Sequence, residues 1–240
     1  RDAFAGLAVM DRLAELRRTG EVDPEFGRTP TRVLPERPAR TAPDPATRPD
    51  RAPSVTDVEI PEPPFVGTRV MKGIALEDVA GYLNETALFR NQWQFRPEDG
   101  EDDAAFKERL RPLLRDRLAA ARAEHLLVPQ VVYGFLPANA EGDDLVVWKD
   151  EDRTAERARF SFPRQSADPW LCIADFFATD RPDWAAFHIV TVGPAVTERA
   201  AELFAAHEYQ EYLFTHGLGV EMAEALAEYW HRRVREDWGF

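Results

Sequence analysis

Proline decides how this chain can be divided. Between residues 28 and 64, Pro30, Pro35, Pro38, Pro43, Pro45, Pro49, Pro53, Pro61, Pro63 and Pro64 alternate with Arg, Asp, Thr and Ala. Each proline removes a backbone donor and fixes φ, so such a segment builds neither a helix nor a sheet of its own and has little to bury. It reads as an extended tether with a reach between ~35 Å as a coil and ~110 Å fully drawn out. Three parts follow: residues 1–27, a Pro/Arg-rich flexible linker at 28–64, and a folded body at 65–240.

Before the tether, residues 2–18 place Phe4, Leu7, Met10, Leu13 and Leu16 along one side of a helix that Gly20 can end. The chain opens on "RDAF", with neither Met nor a basic-then-apolar leader, and so reads as a piece of something longer. The body is large enough for one sizeable core. Its apolar runs, such as "VVYGFL" and "LVVW", stop well short of the ~20 residues that a membrane-spanning helix requires. Cys172 is the single cysteine, which rules out an internal disulfide and a cysteine-rich metal knuckle and fits a reducing, cytoplasmic setting. A net charge of −13 disfavours nucleic-acid backbones and anionic membranes as partners.

Within the body, "FVGTRVMKGI" has strand composition and "LEDVAGYL" has helical spacing. "FKERLRPLLRDRLAAARAEHLL" reads as a long amphipathic helix with Phe106, Leu110, Leu113, Leu114, Leu118 and Ala121 inward, and with Pro112 as the residue that kinks it or does not fit it. Short strands are expected at 130–135, 145–148, 159–162, 171–177 and 186–192. Their connections are too short for crossover helices, so neighbours should pair antiparallel. Helices are expected at 196–214 and 218–236. Helix, sheet meander and helix together make an α+β domain.

The stretch "GFLPANAEGDDLVVW" bridges the first two strands of the meander. Pro137 should stop the first of them, Gly142 can take a positive φ, and Asn139 and Asp143 can bond backbone. The acids Asp143 and Asp144 could also share a proton or hold a cation. In "AAHEYQEY", His207, Glu208 and Glu211 have part of a helical zinc-protease spacing, but Glu211 stands where the second imidazole belongs, so a solvated helix face is the better account. Neither a nucleophile elbow nor a phosphate-cradling glycine loop occurs. On the last helix Glu221, Glu224, Glu228, Arg232 and Arg235 share a face. Glu228 and Arg232 suit an i,i+4 pair, whereas Glu224 and Glu228 repel at that spacing unless a cation sits between them.

Six stretches, in order, carry a family resemblance: "YLNETALFRNQW", "GFLPANAEGDDLVVW", "FPRQ", "LCIADF", "AAHEYQEY" and "AEALAEYWHRRVREDWGF". From Phe65 to Phe240 the chain resembles the C-terminal reactivation domain of cobalamin-dependent methionine synthases. "RDAFAGLAVMDRL" resembles the segment leaving the cobalamin-binding domain of those enzymes. The resemblance implies a C-shaped α+β domain, a twisted antiparallel sheet flanked by helices. It implies a methyltransferase fragment that presents S-adenosylmethionine for reductive methylation of cob(II)alamin, in an enzyme that methylates homocysteine to methionine. Cobalamin would sit on the neighbouring cobalamin-binding domain, zinc elsewhere in the full-length enzyme only, and flavodoxin or an equivalent donor would bring the electron. The implied S-adenosylmethionine-binding residues are Asn84, where an aspartate is common, and Glu224. Glu221 stands where arginine can occur, and the sequence stops at "WGF" before the family's Arg-x-x-x-Gly-Tyr run. The alternative is a noncatalytic module that docks a redox partner or neighbouring domain and has lost S-adenosylmethionine binding.

Overall fold

The computed structural model describes residues 17–19, 50–52 and 58–240. The chain divides into two units, Arg1–Ala42 and Pro43–Phe240. In the first, Arg17, Arg18 and Thr19 are helical; the rest of the helix expected over 2–18 lies outside the described residues.

In the second unit the order is β1 (Gly67–Met71), α1 (Leu76–Ala80), a π-helix (Ala87–Gln92), α2 (Asp103–Ala123), β2 (Gln130–Glu141), β3 (Asp144–Trp148), β4 (Glu156–Ser161), a 3-10 helix (Ile173–Phe176), β5 (Trp184–Thr191), α3 (Ala195–Ala205) and α4 (Tyr209–Trp238). Every ladder is antiparallel, as the short connections require. β2 is the central strand: β1 and β5 both pair with its first part, and β3, backed by β4, pairs with its end.

Pro137 does not stop the first strand. β2 continues through it to Glu141, because Pro137 stands where the strand changes partner: its pairing with β5 ends at Pro137↔Trp184 and its pairing with β3 begins at Ala138↔Val147. Beyond that point Ala138 N and Ala140 N donate to Asp183 O and Ala178 O, so the backbone stays satisfied. Gly134 is demanded by crowding, since a Cβ there would lie 2.1 Å from Gly67 O on β1.

β2 alternates, and Val131, Tyr133 and Phe135 point to the helical layer. There they meet α4, whose Leu218, Met222, Leu226, Trp230 and Val234 are buried in the same core. Phe135 packs edge-on against Phe65 and Trp238, with centroids 5.1 and 5.0 Å away. α2 begins at Asp102, whose side chain accepts from Ala105 N at 2.8 Å, and buries Phe106, Leu110, Leu114 and Ala121. It runs through Pro112, which is exposed on its outer face.

Two further expectations are corrected. The 171–177 stretch is not a strand but holds the 3-10 helix Ile173–Phe176, because Asp175 turns back to accept from Cys172 N and binds a buried arginine described below. The last helices break at residues 206–208, where His207 has φ 63° and Glu208 N closes on Leu203 O, and not around Gly217. Gly217 and Gly219 lie inside α4 for packing. A Cβ on Gly217 would stand 2.6 Å from Gln92 Cβ, and one on Gly219 would stand 2.9 Å from Val196 Cγ2. Among the described residues no helix is long and apolar enough to cross a membrane.

Candidate functional site

The site is built where the segment 82–93 lies along α4. On α4, Phe214, Gly217, Glu221, Glu224, Glu228 and Arg232 recur every three or four residues and so form one stripe. The segment runs past that stripe in the opposite direction. At one end Trp93 Nε1 donates to Phe214 O at 3.1 Å, and Gln92 sits over Gly217 and donates from Nε2 to Glu221 Oε1 at 3.1 Å. At the other end the Tyr82 ring packs on Tyr229 with centroids 5.5 Å apart, and Arg232 donates to Tyr82 Oη at 3.0 Å. Along the two segments, Asn84 and Glu224 fall between these two pinned points.

Asn84 is exposed, and its Oδ1 accepts from the amide of Ala87, the first residue of the π-helix, at 3.1 Å, while its own amide nitrogen has no partner among the described residues. Glu224 is exposed and has no hydrogen-bond or ionic partner among the described residues. The six-residue π-helix between Asn84 and Trp93 is a rare winding that is frequently found at functional sites. It buries Leu88 and Phe89 beneath the seam.

The expected Glu228–Arg232 pair is not made. Arg232 donates to Glu236 at 2.7 Å, which together with Tyr82 raises the guanidinium's proton affinity, and among the described residues Glu228 has only His231 Nδ1 at 4.0 Å. Beside these residues the seam opens into a groove of about 550 Å³ lined by Tyr82, Glu228, His231, Arg232, Arg235, Glu236 and Phe240. A more apolar cleft of about 840 Å³ lies elsewhere, between α1, α2 and the loop into β2, and includes neither Asn84 nor Glu224.

The other acids of interest are structural. Gly142, with φ 62°, takes the first place of the two-residue turn joining β2 to β3. Asp143 and Asp144 beside it go to different arginines. Asp143 Oδ1 accepts from Arg164 Nη2 at 2.6 Å, and Asp144 Oδ2 accepts from Arg159 Nη1 at 3.2 Å. Arg164 is fully buried and also forks onto Asp175 at 2.6 and 2.8 Å. Asn139 is satisfied on both sides, donating to Ala178 O and Arg181 O and accepting from Trp148 Nε1 and Arg153 Nε. In "AAHEYQEY", His207 Nδ1 meets Tyr209 Oη at 2.9 Å, while Arg117 grips Glu211 and holds its carboxyl below the usual range.

The sequence reading singled out Asn84 and Glu224 but passed over Gln92 and gave Glu221 no role. Glu221 is only 6 % exposed and floors the seam. Its signal was present as an acid one turn before Glu224 and one turn after a helical glycine.

The fold and seam define an α+β domain in which a π-helical segment is clamped on a long helix, α4. Residues 75–240 match the family model described as vitamin B12 dependent methionine synthase, activation domain, and the chain belongs to that family. It is 39% identical over 268 residues to a methionine synthase of Mycobacterium tuberculosis (strain ATCC 25618 / H37Rv), and 39% identical over 272 residues to one of Mycobacterium leprae (strain TN). All of this chain aligns in both cases, but it covers 22% of each relative, so it spans about a fifth of their length. Among solved structures, it is similar to the MetH reactivation domain bound to AdoHcy, with TM-score 0.70 and 26% identity over 81% of this chain and 63% of that one.

Proposed function

We propose that this domain binds S-adenosylmethionine along the α4 seam and presents its methyl group to cobalamin carried by a neighbouring domain, as the reactivation module of a methyltransferase that makes methionine from homocysteine. The observation that carries the reading is the pair Asn84 and Glu224. Both are exposed and hold unused polar atoms on one seam, in a fold similar to a reactivation domain crystallised with AdoHcy. A carboxylate without a partner suits the cationic amine and sulfonium of the ligand, and the free Asn84 amide nitrogen suits its carboxylate or hydroxyl oxygens.

When bound on the neighbouring domain, cobalamin would supply a cobalt able to take the methyl group, given an electron from flavodoxin or an equivalent donor. The chain's own residues hold the sulfonium in line with that approach, and the thioether leaves with the electron pair of the broken carbon–sulfur bond. The 28–64 stretch serves as the tether between modules in a cytoplasmic enzyme, raising their effective concentration to roughly millimolar without a permanent interface. Its C-terminal part has a berth on the domain: Arg51 Nη2 donates to Asp175 O at 2.8 Å, Arg181 Nη2 to Val58 O at 3.1 Å, and Trp238 Nε1 to Pro61 O at 3.0 Å. Trypsin should therefore cut at the arginines between 28 and 48 first and spare Arg51 longest. Equal protection across 28–57 would remove the tether from this account.

Calorimetric titration tests the binding site. In a form that includes the family's Arg-x-x-x-Gly-Tyr run, Glu224→Gln should weaken S-adenosylmethionine binding by about 1.5–3 kcal/mol and leave the fold intact. An unchanged affinity would place Glu224 on an ordinary solvated face.

A further inference from the structure

Three acids of the body are nearly inaccessible, and they differ in what faces them. Asp175 has the Arg164 guanidinium on both oxygens and the amides of Ala52 and Cys172 on one. Asp183 takes the amides of Ala178 and Trp184, both at 2.7 Å. Glu221 has one neutral donor, Gln92 Nε2 at 3.1 Å, and no arginine, lysine or histidine within 4 Å among the described residues. A largely buried carboxylate with a single neutral donor is poorly compensated, and because its second oxygen is not sealed off, its place beside the seam calls for a reason.

Its position supplies one. Glu221 precedes Glu224 by three residues, roughly 4.5 Å along the helix axis, on the stripe that the 82–93 segment runs along. Gln92, its single partner among the described residues, ends the π-helix whose first amide, Ala87 N, donates to Asn84. Burial also leaves the Glu221 charge less screened by salt than the exposed carboxylates around it. We infer that Glu221 sets the charge preference of the seam, favouring the positively charged sulfonium of S-adenosylmethionine over the neutral thioether of S-adenosylhomocysteine; this rests on the reading of the seam as the binding site. The direction is useful for a methyl donor site, because the charge disappears when the methyl group leaves and the spent ligand is then held less firmly.

The experiment is titration of the full-length protein with each of the two ligands, in wild type and in Glu221→Gln. The amide keeps the volume and an acceptor for Gln92 while removing the charge. S-adenosylmethionine should bind about tenfold more weakly to the variant and S-adenosylhomocysteine less than twofold more weakly, so the wild-type preference collapses. Equal losses for both ligands would make Glu221 a packing residue, and no loss for either would remove it from the site; both results overturn the inference. Gln92→Ala is the companion variant, which breaks the hydrogen bond but keeps the charge and should preserve the preference even if both affinities fall. If Glu221→Gln does not fold, loss of the preference in Gln92→Ala overturns the charge account and retention supports it. A wild-type protein that binds neither ligand would overturn the binding-site reading itself, and this inference with it.

Discussion

Two acidic regions of this domain look alike in sequence and are built in opposite ways. At the β2–β3 hairpin Asp143 and Asp175 converge on the buried Arg164, which spends its remaining capacity on Trp170 O at 2.8 Å. Along the α4 seam Glu221 has one amide and Glu224 has no partner among the described residues. Residue type does not separate the two regions; the partners do. Compensated acids tie loops together and have no capacity left for a ligand, whereas acids left short of partners keep that capacity.

The largest expected effect breaks the compensated side. Asp175→Ala leaves Arg164 buried with a single acid and strips the Cys172 and Ala52 amides of their acceptor, and should destabilise the domain by about 3–5 kcal/mol. Urea unfolding reads it directly, and a loss under about 1 kcal/mol would mean that Arg164 finds water instead. The same carboxyl should report on acid. Arg164 first, then the Ala52 and Cys172 amides, hold Asp175 below the ordinary carboxylate range. A group depressed in the fold contributes stability that is present above its unfolded value of ~3.9 and is lost as pH falls through the folded one. Stability should therefore drop more steeply below about pH 4 in wild type than in Asp175→Asn, and parallel curves would assign acid unfolding to other groups.

On the uncompensated side, the seam depends on a close approach. Replacing Gly217 by Ala would gain up to about 1 kcal/mol of helix propensity, but it puts a Cβ 2.6 Å from Gln92 Cβ and 3.2 Å from the Trp93 ring. Overpacking of that kind typically costs about 1–3 kcal/mol, so the net change should be destabilising and ligand binding should weaken with it. A stabilised Gly217→Ala protein would show that the π-helix is free to lift from α4.

The same contrast marks how far the sequence could be read. Periodicity located α2, β1 and the order of helices and strands, because burial of Phe106, Leu110 and Leu114 obeys local spacing. It failed wherever a distant residue decides the local form. Gly217 reads as a helix end until Gln92 is known to sit on it, and Pro137 reads as a strand end until β2 is known to change partners there. The 171–177 stretch reads as a strand until Arg164 claims Asp175. Asn84 came from family resemblance and Glu224 from that resemblance together with its repulsion from Glu228 at i,i+4, whereas Glu221 carried only its spacing from Gly217 and Glu224, which does not tell a buried glutamate from an exposed one. Burial of a polar side chain is a tertiary fact.

The smallest effect sharpens the comparison within a single helix. Glu228 lies on the same stripe as Glu224, one turn later, and borders the groove near Tyr82. It is exposed, with His231 Nδ1 at 4.0 Å as its nearest ionic neighbour, so its charge is already shared with solvent and counter-ions. Removing that charge also relieves the repulsion from Glu224 at i,i+4, worth about 0.2–0.5 kcal/mol in the opposite direction. Glu228→Gln should thus change S-adenosylmethionine affinity by no more than about 0.5 kcal/mol, against about 1.5–3 kcal/mol for Glu224→Gln. Titrating the two variants side by side holds helix, charge change and side-chain volume constant and varies only the place along the seam. If Glu228→Gln proved the more damaging, the ligand's cation would lie at the Tyr82 end of the seam, and the pairing of Asn84 with Glu224 would have to be given up.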